Sequence, residues 1–168
     1  PAELRTMYAE MKRHGISSVR FDWDWKEVAP SPGAFNKELV ERYIGAMKIM
    51  EEVGMQPPTL VLSNPPEWAT KLYKDDKDAY FQAYQKYISS VDEALTRSGM
   101  NVHAAQIFNE VNNALLFRYI DAEDLPKVCG IVRNTLGKTR PDLKLSASLI
   151  VGNINDRISK MKGLPQTQ

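Results

Sequence analysis

At 168 residues, 43% apolar and 26% charged, the chain has the size and composition of one globular domain with a buried core. Twenty-two basic residues against 21 acidic ones leave a formal charge of +1, so no strong field is available to steer nucleic acid or an anionic membrane. The single cysteine, Cys129, rules out an internal disulfide and any cysteine-based zinc cage, and is expected as a small apolar residue in a helix. No signal peptide, transmembrane-length apolar run or low-complexity tract is present, and because the chain begins with Pro1 the cellular compartment stays open.

The elements alternate along the chain. Residues 3–14 place Leu4, Met7, Tyr8 and Met11 at helical spacing and stop at Gly15. The β-branched and aromatic run "ISSVRFDW" predicts a strand over about 16–23, followed by a turn in "APSPGAF". From Asn36, a good N-cap, a helix with Leu39, Val40, Tyr43, Ile44, Met47 and Met50 on one face runs to Glu52, with Gly54 closing it. A second strand, about 58–64 and containing "TLVLSN", ends at a Pro-Pro pair. Residues 77–98 predict a long helix through Tyr80, Phe81, Tyr84, Tyr87, Ile88, Val91 and Leu95, ended by Gly99. "HAAQIFNE" supplies a third strand over about 103–110, a further helix covers about 122–136, and "LKLSASLIV" gives a fourth strand over about 143–151. Another helix is expected to begin near Asn155.

Strict alternation with nearly continuous apolar strands implies an α/β fold, a parallel sheet covered by helices. An open doubly wound sheet and an arc of a (β/α)8 barrel both fit. A doubly wound nucleotide binder places a glycine-rich phosphate loop after an early strand, and neither G-x-G-x-x-G nor G-x-x-x-x-G-K-[ST] occurs. Polar and aromatic residues instead gather at the ends of three strands: Asp22, Trp23, Asp24 and Trp25, then Ser63, Asn64 and Trp68, then Asn109, Glu110, Asn112 and Asn113. In a barrel that rim is where active sites are built.

These segments carry a resemblance. "IFNEVNN" resembles the Asn-Glu acid/base signature that closes a strand in the clan of retaining glycoside hydrolases with (β/α)8 barrels. "VRFDWDWKEVAPSPGAFN" is similar to the segment those enzymes carry after their second strand, and "LSNPPEWA" to their third-strand loop. The order agrees from about Gly15 to Ile150, and within the clan the pattern is most similar to the β-xylosidase and exopolysaccharide-hydrolase branch. One departure is visible: the family usually has Pro after the Glu, and this chain has Val111. The resemblance implies Glu110 as acid/base, Asn109 on the sugar 2-hydroxyl, and a substrate-binding set of Arg20, Asp22, Trp25, Asn64, Trp68 and Asn112. It further implies a carbohydrate substrate, no metal or organic cofactor, and a secreted or periplasmic location.

The chemistry is consistent with that assignment. Glycosidic cleavage needs a carboxylic acid still protonated near neutral pH, and partial burial at an apolar strand end pushes a carboxyl in that direction. Because side chains alternate along a strand, Asn109 and Glu110 cannot both reach a cleft unless the strand is ending or bulged. Trp23, Trp25 and Trp68 offer flat faces for pyranose rings, although Trp23 and Trp25 share a strand face and at least one is expected to pack between sheet and helix. Arg20 reads equally well as an ion-pair partner of Asp22 or Asp24. Tyr80, Tyr84 and Tyr87 read as helix packing. His14 and His103 have no second histidine at ligand spacing.

Length sets a further expectation. A complete (β/α)8 barrel takes about 250 residues, so the chain supplies about four strands, by the resemblance the second to the fifth. The retaining mechanism needs a second carboxylate about 5 to 5.5 Å from the first, and no segment matches the nucleophile strand of the family. Three readings stay open: the acid/base half of a glycoside hydrolase, the rest of the barrel being cut away or supplied by a second chain or second copy; a non-catalytic carbohydrate-binding or fragment half-barrel; and an unrelated open α/β domain.

Overall fold

The computed structural model describes residues 2–110 and 120–148. Asn112, the strand residues after Ser148 and the helix expected near Asn155 lie outside the described residues. The elements are α1 (Ala2–Arg13), β1 (Arg20–Asp24), α2 (Trp25–Val28), α3 (Lys37–Glu52), β2 (Thr59–Ser63), α4 (Glu67–Asp75), α5 (Lys77–Ser98), β3 (Ala104–Ile107), a 3-10 turn (Ala122–Asp124), α6 (Leu125–Thr139) and β4 (Lys144–Ser146). The first strand begins four residues later than the β-branched run suggests, at Arg20. Two helices, α2 and α4, occupy segments for which the sequence predicts no helix.

All strands are parallel and lie in the order β1-β2-β3-β4. Doubly wound sheets reverse their order at a switch point. A strictly sequential order is the barrel arrangement, so the described fold is four consecutive strands of the (β/α)8 type with helices between them.

Register and alternation give the sheet two faces. Phe21, Leu60, Ala105 and Leu145 stand side by side, as do Trp23, Leu62 and Ile107. This face packs against the helices in one apolar cluster with Val40 and Ile44 of α3, Ile88 and Leu95 of α5, and Val128, Val132 and Leu136 of α6. Each such side chain, fully buried, contributes about 1.5–3 kcal/mol. The opposite face carries Arg20, Asp22 and Asp24 on β1, Thr59, Val61 and Ser63 on β2, and Ala104 and Gln106 on β3. Gln106 and Ser63, only 5% exposed each, are the buried polar residues among those described.

The helix boundaries follow from local chemistry. Asn36 Oδ1 accepts the Leu39 N–H at 3.1 Å and opens α3, and Asp76 Oδ1 accepts the Ala79 N–H at 3.0 Å and opens α5. Gly99, at φ 69°, closes α5 in the left-handed conformation that glycine adopts without a Cβ clash. The tyrosines Tyr80, Tyr84 and Tyr87 pack inward, as their helical spacing suggests. Cys129 lies in α6, partly buried against the same cluster, and burial pushes its thiol pKa up. No helix among the described residues is long and apolar enough to cross a membrane.

Candidate active site

The C-terminal ends of β1, β2 and β3 form one rim, and β2 and β3 leave the sheet through an unusual backbone. Asn64, directly after β2, has φ 53°; Phe108, directly after β3, has φ 55°; Glu110 has φ 53°. Left-handed backbone is uncommon for a residue with a Cβ, above all for a bulky one such as Phe, and it clusters at functional sites.

The left-handed Phe108 changes which side chain faces the sheet's polar side. Regular alternation would send Ile107 to the helices, Phe108 to the polar face and Asn109 back to the helices. Instead Phe108 is fully buried on the helix side, with its ring 5.9 Å from that of Tyr84. The parity shifts by one residue. Asn109 thereby lands on the polar face, where its Oδ1 accepts from Arg20 Nη2 at 3.2 Å. Glu110 follows at the rim, half-buried, with its backbone N–H donated to Ser148 Oγ at 2.7 Å.

Two residues of this site are absent from the sequence-derived set. Gln106 Nε2 donates to the Phe108 carbonyl at 2.9 Å, and Ser148 Oγ donates to Asn109 Oδ1 at 3.1 Å. The signal in the sequence was a lone amide inside the apolar run "AAQIF", together with the alternation of Ser146 and Ser148.

The other expected residues divide. Asp22 lies exposed on β1, on the same face as Arg20. Asn64 donates through Nδ2 to Asp24 Oδ2 at 2.9 Å, joining the ends of β1 and β2. Burial pushes the Asp24 carboxyl up, outweighing the hydrogen bond from Asn64 and the nearby charge of Lys26. Trp68, on α4, keeps part of its ring exposed in an open groove with Pro30, Pro32 and Lys71, and its indole N–H donates to the Ala29 carbonyl at 3.1 Å.

Trp25 is a correction. Its side chain is 1% exposed, stacked on Tyr87 with centroids 5.1 Å apart and planes 13° apart, and edge-on to Trp68 at 5.8 Å. Asp24 Oδ1 accepts the Lys26 N–H at 3.1 Å and starts α2 at Trp25, whose ring packs into the helix-side cluster with Trp23. Trp23 is likewise buried, against Tyr43. Of the three tryptophans, only Trp68 presents surface to a ligand.

Away from the rim, Asp121, Glu123 and Asp124 bring carboxylates together. Lys77 Nζ sits among them, 2.8 Å from Asp121 and 2.7 Å from Asp124. Its hydrogen bonds hold the Asp121 carboxyl below the usual range, and they do the same for Asp124 against the opposing effect of burial. The lysine ammonium occupies the place a cation would take, so this cluster ties α5 to the start of α6.

Comparison with solved structures finds the same partial (β/α)8-barrel fold in proteins that include glycosidases. An exo-β-1,4-mannosidase from an Opitutaceae bacterium superposes with a TM-score of 0.71 at 16% identity, over 88% of this chain and 28% of that one. A GH5_18 protein from Bifidobacterium longum subsp. infantis gives 0.67 at 14% identity, over 87% and 38%. A β-glycosidase from Pyrococcus horikoshii gives 0.58 at 18% identity, over 85% and 36%. At such identities the likeness establishes the fold, and the chain spans well under half the length of each of these proteins. No protein-family model matches the chain, and no curated protein matches it in sequence.

Proposed function

We propose that this chain supplies the acid/base half of a retaining glycoside hydrolase acting on β-linked sugars, in the manner of the β-xylosidase and exopolysaccharide-hydrolase branch. The observation that carries the reading is the Arg20–Asn109 hydrogen bond, 3.2 Å, which spans from β1 to the end of β3 and depends on the left-handed Phe108. It is the arrangement an Asn-Glu rim motif requires. The amide is locked on the polar face, where it meets a sugar hydroxyl, and the carboxyl follows one residue later at the mouth.

In this reading Glu110 donates a proton to the leaving oxygen and then, as carboxylate, takes a proton from the attacking water. Asn109 bonds the 2-hydroxyl, a contact that strengthens as the ring flattens toward an oxocarbenium ion. Asp22, Asn64, Trp68 and Asn112 line the sugar site, with Trp68 as the stacking face. The nucleophile, a second carboxylate about 5 to 5.5 Å from Glu110, comes from barrel strands beyond the four described.

The test is Glu110→Gln in the assembled enzyme. Disaccharide hydrolysis should fall by roughly 100- to 10,000-fold, the range that general acid catalysis contributes, while p-nitrophenyl glycosides, whose leaving group needs no proton, lose much less in the glycosylation step. Equal, small losses on both substrates would remove Glu110 from the acid role.

A further inference from the structure

Ser148 lies two residues beyond β4, at the end of a strand that no role above uses. Its Oγ is 2.7 Å from the Glu110 N–H, 3.2 Å from Gln106 Nε2 and 3.1 Å from Asn109 Oδ1. A hydroxyl owns one proton and two lone pairs. The backbone N–H and the Gln106 amide nitrogen are donors only, so they take both lone pairs. The one hydroxyl proton is left for Asn109 Oδ1.

That accounting fixes the polarity of Asn109. Arg20, which has no acceptor, approaches the same Oδ1 at 3.2 Å, and Gln106 Nε2 stands 3.4 Å from it. Flipping the amide would turn its NH2 group against these donors. The Nδ2 end is therefore the one turned away from the network, and a sugar hydroxyl meeting it there meets a donor. Gln106 does a second job: it holds the Phe108 carbonyl at 2.9 Å, supplying a partner to a group at the left-handed turn.

We infer that Ser148 and Gln106 are positioning residues for the Asn109-Glu110 pair. Ser148 clamps the Glu110 backbone and orients the Asn109 amide, and Gln106 stabilises the turn that puts both on the polar face. The catalytic part of this inference rests on the glycosidase reading; the clamp itself does not.

The test uses Ser148→Ala, Ser148→Thr and Gln106→Met in the full chain, with two readouts. The first is NMR-detected exchange of the Glu110 amide proton. Ser148→Ala should accelerate it about tenfold or more, the effect of losing one hydrogen bond of ordinary net strength, and Ser148→Thr, which keeps the hydroxyl, should restore protection. The second is hydrolysis, in the assembled enzyme, of a panel of p-nitrophenyl β-D-glucoside, mannoside and xyloside with the matching disaccharides. Ser148→Ala and Gln106→Met should lower kcat roughly 10- to 100-fold with little change in KM, more on the disaccharides, and Ser148→Thr should recover most of it. Unchanged exchange in Ser148→Ala would overturn the clamp whatever the activity. Faster exchange with unchanged kcat would overturn the positioning role. A wild-type assembly that cleaves nothing on the panel, while Ser148→Ala still frees the Glu110 amide, would end the glycosidase reading and leave the clamp standing.

Discussion

Asp24 serves two elements with one carboxylate: Oδ1 caps α2 through the Lys26 N–H, and Oδ2 receives Asn64 Nδ2 from the end of β2. Burial disfavours its charge and raises its pKa despite those donors and Lys26 at 4.0 Å. A group whose folded pKa is raised contributes stability that is fully present below its unfolded value, about 3.9 for Asp, and loses that contribution as pH climbs through the folded value. Asp24→Asn keeps an oxygen for the cap and carries no charge to desolvate. The difference in melting temperature, variant minus wild type, should therefore be more favourable at pH 7 than at pH 3.5. A difference that stays flat across that range would show that desolvation of Asp24 does not govern the pH response here. At this scale the rim was only partly legible. That Asn109 and Glu110 needed a broken alternation could be read from the period of a strand, but the residue breaking it, Phe108, is a type that shuns φ 55°. Gln106, two residues back, and Tyr84 beneath both contact Phe108, and the Tyr84 contact, which comes from α5, is not written in local sequence.

Helix α5 sorts its tyrosines by what their hydroxyls find. Tyr87 donates to the backbone carbonyl of Trp23, fastening α5 to β1 under the rim. Among the described residues, the buried hydroxyls of Tyr80 and Tyr84 find no partner. A buried polar group without a partner costs stability, whereas a pair broken on one side strands the other side. Tyr87→Phe should thus destabilise by about 1–3 kcal/mol in urea unfolding, while Tyr84→Phe should be neutral or mildly stabilising. The opposite order would mean that Tyr84 is satisfied and the Tyr87 bond is idle. The helical period exposed the packing face of α5 but hid α4 just before it. Asp76 is both the last cap of α4 and the N-cap of α5, at φ −154° and ψ 94°, so two helices meet at one extended residue. The Pro-Pro pair reads only as the end of a strand, yet Pro66, at φ −65°, stands directly before the first helical residue, where the missing proline N–H costs nothing. Helix α2, four residues long, is too short for any periodic signal.

The four-stranded sheet as a whole is asymmetric. Its helix face is sealed by apolar side chains from α3, α5 and α6. Its other face leaves Arg20, Asp22, Lys144 and Ser146 exposed, and β1 pairs only with β2 among the described strands. Parallel sheets are ordinarily covered on both faces, and a bare strand edge presents a row of N–H and C=O groups to any chain able to pair with it. Closing the ring turns this face into the polar wall of a barrel mouth and removes the free edges together. The face also carries both signs of charge, Arg20 and Lys144 against Asp22 and Asp24, so a second copy does not meet a face of one sign. The chain alone in solution should therefore run above the mass of one chain in light scattering, with a concentration-dependent shift. Reversing the β1 charge with Asp22→Lys should weaken that association, more at 10 mM than at 500 mM salt, because exposed charges act within a screening length of about 30 Å and about 4 Å respectively. A well-folded species of one chain mass at every concentration would mean that the polar face and the β1 edge tolerate water as they stand. The barrel would then not be closed by a second copy, and the nucleophile would have to be sought outside these 168 residues.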